Sequence, residues 1–101
     1  MREGDATVYA IGAIFSVGDP EKFSAYQQAA GPTVAMYGGK VIAGGTNIEV
    51  ADGTWSPIGL LVIGFESMAK AKEWYTSPEY SAIKSQRIDN TAGGLVFLDA
   101  G

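Results

Sequence analysis

Apolar residues are laid down along this chain in two distinct rhythms. Thr7 to Phe15 (Thr-Val-Tyr-Ala-Ile-Gly-Ala-Ile-Phe) is an almost unbroken apolar run, and Ile58 to Phe65 (Ile-Gly-Leu-Leu-Val-Ile-Gly-Phe) is a second. Runs of this length, rich in β-branched and aromatic residues and bounded by turn formers, read as strands, although periodicity alone does not separate them from a buried helix. Between them the rhythm changes. Phe23, Tyr26, Ala30, Val34 and Tyr37 recur at spacings of three and four, which is one helical stripe. Asp19-Pro20-Glu21 opens it with a cap, a proline suited to the first helical position and an acid at the positive helix end. Gly31-Pro32 interrupts the stripe, so a kink or two helical pieces are expected. Gly38-Gly39 ends it in the manner of a C-cap.

The remainder is punctuated more finely. Lys40 to Gly45 reads as a short strand, Gly44-Gly45 as a bend, and Asn47 to Val50 as an exposed edge strand. Asp52-Gly53 is a turn signal, and Trp55-Ser56-Pro57 continues the loop. Ser67 caps a helix carrying Met68, Ala71, Trp74 and Tyr75. Ser77-Pro78-Glu79 repeats the cap, proline and acid pattern and opens a helix with Tyr80, Ile83 and Arg87 on one side. Asn90 to Gly94 is read as a loop and Leu95 to Leu98 as the last strand.

That order is an α+β arrangement of two βαβ-like halves, a ferredoxin-like βαββαβ sandwich whose antiparallel sheet carries its helices on one face. The long apolar runs then matter. A sheet with one wet face should alternate apolar and polar residues. Here Tyr9, Ile11, Ala13 and Phe15 point one way and Val8, Ala10, Gly12 and Ile14 the other, and both sets are apolar. The second face needs a cover, and no element is left over to supply it. A second copy of the same sheet, a homodimer, is the simplest cover.

Composition mostly removes possibilities. At 101 residues the chain has room for one core, so positions 1–101 are expected to form a single domain. An apolar fraction of 47% fits a globular protein. No stretch reaches the roughly 18–20 apolar residues of a membrane span, and the start shows no signal-peptide pattern, which leaves the cytoplasm as the expected location. A net charge of −4 with seven scattered basic residues argues against nucleic acid and anionic membrane surfaces as partners. With no His and no Cys, catalytic triads and dyads, thiolate zinc sites and His-ligated haem are excluded from this chain. No acidic metal-binding loop is present, and no metal or cofactor is expected. The glycine pairs lack phosphate-loop spacing and are turns.

Proton transfer is left to Asp, Glu, Tyr, Lys and water. Tyr9, on a central strand, and Glu66 and Asp99, at strand ends, are the catalytic candidates; the two acids are equally readable as solvated strand-end charges. Arg87 is the foremost ligand-binding candidate, because a guanidinium holds an anion in a bidentate fork. It could equally neutralise a helix C-terminus or pair with Asp89. Trp55, Tyr75 and Tyr80 offer stacking faces or hydroxyls to a pocket, and Trp74 reads first as core. Gly12 and Gly64 leave volume inside neighbouring strands, which either admits a helix closely or opens a cavity between two sheets.

Several of these segments together resemble a known family. Tyr37-Gly38-Gly39-Lys40, Gly44-Gly45, Asp52-Gly53-Thr54-Trp55-Ser56-Pro57, Phe65-Glu66-Ser67 and, above all, Trp74-Tyr75-Thr76-Ser77-Pro78-Glu79-Tyr80 with Arg87 are similar to the domain-of-unknown-function 1330 family. The likeness runs from about Tyr9 to about Leu98. It implies the dimeric α/β-barrel superfamily, in which two ferredoxin-like sheets face each other. By that analogy the chain is a cofactor-independent isomerase- or cyclase-like enzyme acting on a small apolar organic molecule in the barrel lumen. A non-catalytic ligand-binding or purely structural homodimer is the alternative. Relatives carry an arginine at the start of the third main strand, where this chain has Pro57-Ile58-Gly59-Leu60. That departure implies a lost anion site or a less polar ligand.

Overall fold

The computed structural model describes residues 6–101. Its elements are β1 (Val8–Val17), α1 (Pro20–Met36), β2 (Lys40–Gly45), β3 (Gly59–Phe65), α2 (Met68–Thr76), α3 (Pro78–Ile88) and β4 (Thr91–Asp99). The four strands form one antiparallel sheet in the order β2-β3-β1-β4. This is the ferredoxin-like α+β arrangement, with both long apolar runs, β1 and β3, at the centre of the sheet.

The helices start and stop where local chemistry directs. The Asp19 carboxylate accepts from the amides of Glu21 and Lys22, satisfying donors that the first turn leaves orphaned. Ser67 does the same for Lys70 and Ser77 for Tyr80. α1 runs through Pro32 as one helix, so of the expected kink or two pieces at Gly31-Pro32 the division into two pieces does not occur. Proline removes one internal hydrogen bond, and packing of the buried Thr33 and Val34 just beyond it holds the helix together. It ends at Gly38, whose φ of +76° suits glycine. The Gly38 amide donates to Ala35 and the Gly39 amide to Val34, closing the last turn. At Gly39 a side chain would collide with Phe65 and Val34 at 2.7 Å, so the strand entry is packed onto the helix exit.

Two other expectations fail locally. Asn47 to Val50 forms no strand but part of a loop that leads to β3. Polar–apolar alternation over four residues is too weak a signal to hold an edge without ladder partners. Conversely, the expected loop before β4 is strand from Thr91, paired with Val17 at the end of β1. The ladder tolerates Gly93 because its φ of +151° is open to glycine, and a Cβ there would meet the Ala13 carbonyl.

Register assigns the faces. Val8 pairs with Phe65 and Asp99, and Ala10 with Ile63 and Phe97. These positions face the helices. Val8, Ala10, Ile63 and Phe65 join Val34, Ala71, Trp74 and Tyr80 in the core. The other parity (Tyr9, Ile11, Ala13 and Phe15, with Val62, Val96 and Leu98 beside them) carries no helix. Val96 is 61% exposed and Leu98 50%. The open face is as apolar as the strand pattern requires.

Candidate functional site

The core is not uniformly filled. α1 packs chiefly on α3 and approaches the sheet less closely than α2 and α3 do. A cleft of about 600 Å³ lies between α1 and the helical face of β1, β2 and β3. Gly12, Gly31, Gly44 and Gly59 contribute to its lining. A Cβ at Gly31 would meet nothing within 4 Å, and one at Gly12 would touch only Leu95, at 3.5 Å. The space that Gly12 opens is therefore neither filled by a close helix nor placed between two sheets. The cleft is on the helical side, opposite to the open face that would line a barrel lumen.

The lining is apolar for most of its extent, with Ile14, Phe23, Val34, Leu61, Ile63 and Leu95 among its residues. Its polar end is built from α1 and α3. Tyr26 and Tyr80 share a hydrogen bond of 2.6 Å between their hydroxyls, and the Arg87 Nε donates to the Tyr80 hydroxyl at 3.4 Å. Tyr80 is fully buried, while Tyr26, Arg87 and Trp74 reach the cleft. Trp74 lies 4.2 Å from Tyr80, ring to ring, and donates from Nε1 to Thr33 at 3.0 Å. The Thr33 hydroxyl in turn donates a hydrogen bond to the Ala30 carbonyl at 2.6 Å. The aromatic wall is thereby tied to α1, and Trp74 is both core and cleft wall.

Electrostatics at this end are one-sided. Arg87 is only 9% exposed, and it is the one charged residue in the cleft lining among those described. Burial alone would lower its pKa, but the Tyr80 and Tyr26 hydroxyls outweigh that and raise it, so the guanidinium stays charged. Tyr26 is pushed far above the ordinary tyrosine value, first by burial and then by its hydrogen bond with Tyr80, while Arg87 opposes the rise. Both groups are thus donors at physiological pH, not bases.

The other sequence candidates are placed elsewhere. Tyr9 is on the open face, and its hydroxyl donates to the Ala6 carbonyl at 3.2 Å. Glu66 and Asp99 are exposed at the end of the sheet where Val8 pairs with Phe65 and Asp99; the Asp99 carboxylate accepts from the Gly101 amide. Tyr75 packs edge-on against Phe97, with the Lys84 ammonium 3.8 Å from its ring centre. Trp55 is 58% exposed and lies edge-on to Phe15, beside the open face. Of the residues singled out, the fold joins Arg87 to Tyr80 by a hydrogen bond and Tyr75 to Tyr80 by ring contact at 5.8 Å, and the alternative pairing of Arg87 with Asp89 is not formed. Sequence reading missed Tyr26 as chemistry. Its position in the α1 stripe marked it as core, and only its hydroxyl signalled that a polar partner would be needed.

A four-stranded antiparallel sheet with three helices on one face, and a cleft under the first of them, places the chain among small ferredoxin-like α+β proteins. The chain belongs to the family described as Domain of unknown function (DUF1330), whose model matches residues 7–100. Among solved structures it is similar to a protein of unknown function from Rhodopseudomonas palustris, at 18% identity over 94% of this chain and 82% of that one, with a TM-score of 0.73. An uncharacterised NIPSNAP domain protein from Burkholderia xenovorans matches at 16% identity over 90% of each chain, TM-score 0.60. A dimeric protein of unknown function and ferredoxin-like fold from Bacteroides fragilis matches at 14% identity over 92% of this chain and 96% of that one, TM-score 0.54. At these identities the likeness is one of fold. No functionally curated protein matches the chain. Among the described residues no helix is long and apolar enough to cross a membrane.

Proposed function

We propose that this protein is a homodimeric small-molecule binding protein, each protomer holding one small, largely apolar organic molecule in the cleft between α1 and the sheet. The observation that carries this reading is the cleft itself: about 600 Å³, apolar along its length and polar at one end. That volume lies within the roughly 300–1,000 Å³ typical of small-molecule sites, and the few convergent polar groups supply orientation. The homodimer is supported by the bare apolar face of the sheet and by the dimeric state described for the Bacteroides fragilis neighbour.

Binding is favoured over isomerase- or cyclase-like catalysis by the chemistry of the lining. Such a reaction needs a base poised near working pH. The cleft is lined by no carboxylate among the described residues, and Tyr26 is moved away from that range. Tyr9, Glu66 and Asp99 stand outside it.

Naphthalenemethanol titrated into a Trp55→Phe variant tests the reading, because Trp74 is then the sole tryptophan. A saturable change in Trp74 emission is expected, with the probe seen under α1 in a crystal. Unchanged emission together with an empty cleft would sink the proposal. Conversion of bound ligands to product would favour the enzyme reading instead.

A further inference from the structure

Arg87 presents a hydrogen-bonding problem that the protein leaves unfinished. A guanidinium carries five N–H donors and no acceptor. Among the described residues this one faces the hydroxyls of Tyr80 and Tyr26 and no carboxylate, although it is nine-tenths buried. Buried cations are ordinarily paired, because removing a charge from water costs several kcal/mol when nothing replaces the lost solvation. The hydroxyl protons point the same way. Tyr80 is fully buried and accepts from Arg87, so its own proton needs an acceptor, and the Tyr26 oxygen 2.6 Å away is the one in reach among the described residues. The alternative leaves a buried O–H unsatisfied, which native proteins avoid. With Tyr80 donating to Tyr26, the Tyr26 hydroxyl is released to donate into the cleft. The Arg87–Tyr26 pair therefore offers only donors beside a single positive charge, and the other polar lining residues, Gln27 and Thr46, are uncharged.

We infer that the cleft is built for an organic monoanion, a carboxylate on an apolar body, with its carboxylate oxygens on Arg87 and Tyr26 and its body against α1 and the strands. The inference rests on the small-molecule reading above and names its ligand class. One cation selects one negative charge, since a second carboxylate would lie unpaired on the apolar lining. An acceptor-only head group matches the two donors Arg87 and Tyr26, whereas an alcohol wastes its own proton between them. Arg87 thus supplies, from α3, a positive charge that β3 lacks at its start.

Matched pairs of probes test it: octanoate against octanol, and naphthoate against naphthalenemethanol, with binding measured by calorimetry on the full chain. Each carboxylate is expected to bind roughly tenfold or more tighter than its alcohol, the increment of a charge-assisted hydrogen bond. Arg87→Met abolishes that preference while alcohol binding persists, and Tyr26→Phe, whose fold is less exposed to the loss, reduces it severalfold. Circular dichroism establishes that each variant is folded. Equal affinities for acid and alcohol in the wild-type protein would overturn the monoanion inference and leave the cleft reading standing. A preference that survives in folded Arg87→Met, or that is undiminished in folded Tyr26→Phe should Arg87→Met not fold, overturns it as well. Binding of none of the four probes would overturn both readings together.

Discussion

The two faces of the sheet are built from the same kinds of residue and end up in opposite situations. On the helical face, Val8, Ala10, Ile63 and Phe65 are buried, and space remains where α1 stands off over Gly12, Gly44 and Gly59. On the other face, Val96 and Leu98 remain half or more exposed, and Phe15 lies edge-on to the still more exposed Trp55. The helical face carries a local void with a polar end, the form of a small-molecule site. The open face has extent without concavity, the form of a protein interface. On the reading proposed above, holding a ligand and holding a partner are separated across one sheet.

The sharpest way to break that comparison is a charge on the open face. Val96→Lys is expected to turn a dimer into a monomer in sedimentation at micromolar concentration, because each uncompensated buried charge costs about 3–5 kcal/mol. If the face is bare in solution, the substitution changes neither assembly nor stability, and the contrast drawn here fails. On the helical face the largest loss is expected at Trp74, which is 2% exposed and packs on Phe65 and Tyr80. Trp74→Ala should lower unfolding free energy by about 3–5 kcal/mol in denaturant titration.

Two strand glycines set the faces directly against each other. A Cβ at Gly64, on the open-face parity, would stand 2.8 Å from Ala6 and 3.1 Å from Ile42, so Gly64→Ala should cost about 1–3 kcal/mol. A Cβ at Gly12 meets Leu95 at an ordinary 3.5 Å, so Gly12→Ala should be neutral or stabilise by up to about 1 kcal/mol. Equal effects would mean that the void under α1 is not real. The smallest expected effect lies outside both faces. Glu79 accepts from the Tyr37 hydroxyl at 2.6 Å, which holds its carboxyl below the ordinary 4.5. A lowered folded pKa contributes stability that is present above the unfolded value and lost as pH falls through the folded one. The fall in Tm below pH 4.5 should therefore be slightly shallower in Glu79→Gln.

Much of the fold was legible because its signals are local. Asp19-Pro20, Ser67 and Ser77-Pro78 each satisfy orphan amides within three residues, so the starts of all three helices could be placed without any tertiary knowledge. The two apolar runs fixed the central strands and the need to cover a second face. The signals failed where neighbours decide. The Thr91–Gly94 stretch looks like a loop, yet pairing with β1 makes it strand, while Asn47 to Val50 alternates like a strand and finds no partner.

The site divides along the same line. Sequence alone left proton transfer to Asp, Glu, Tyr, Lys and water, and it marked Arg87 and Tyr80, which share one helix face seven residues apart. Only the tertiary structure decided that Tyr26, on a helix more than fifty positions earlier, completes that group, and that Tyr9, Glu66 and Asp99 do not. It also decided which face holds the cleft. Residue type sets how much apolar surface must be buried, but where a gap is left depends on how closely α1 lies against the sheet, and that distance is fixed by contacts between residues far apart in the chain.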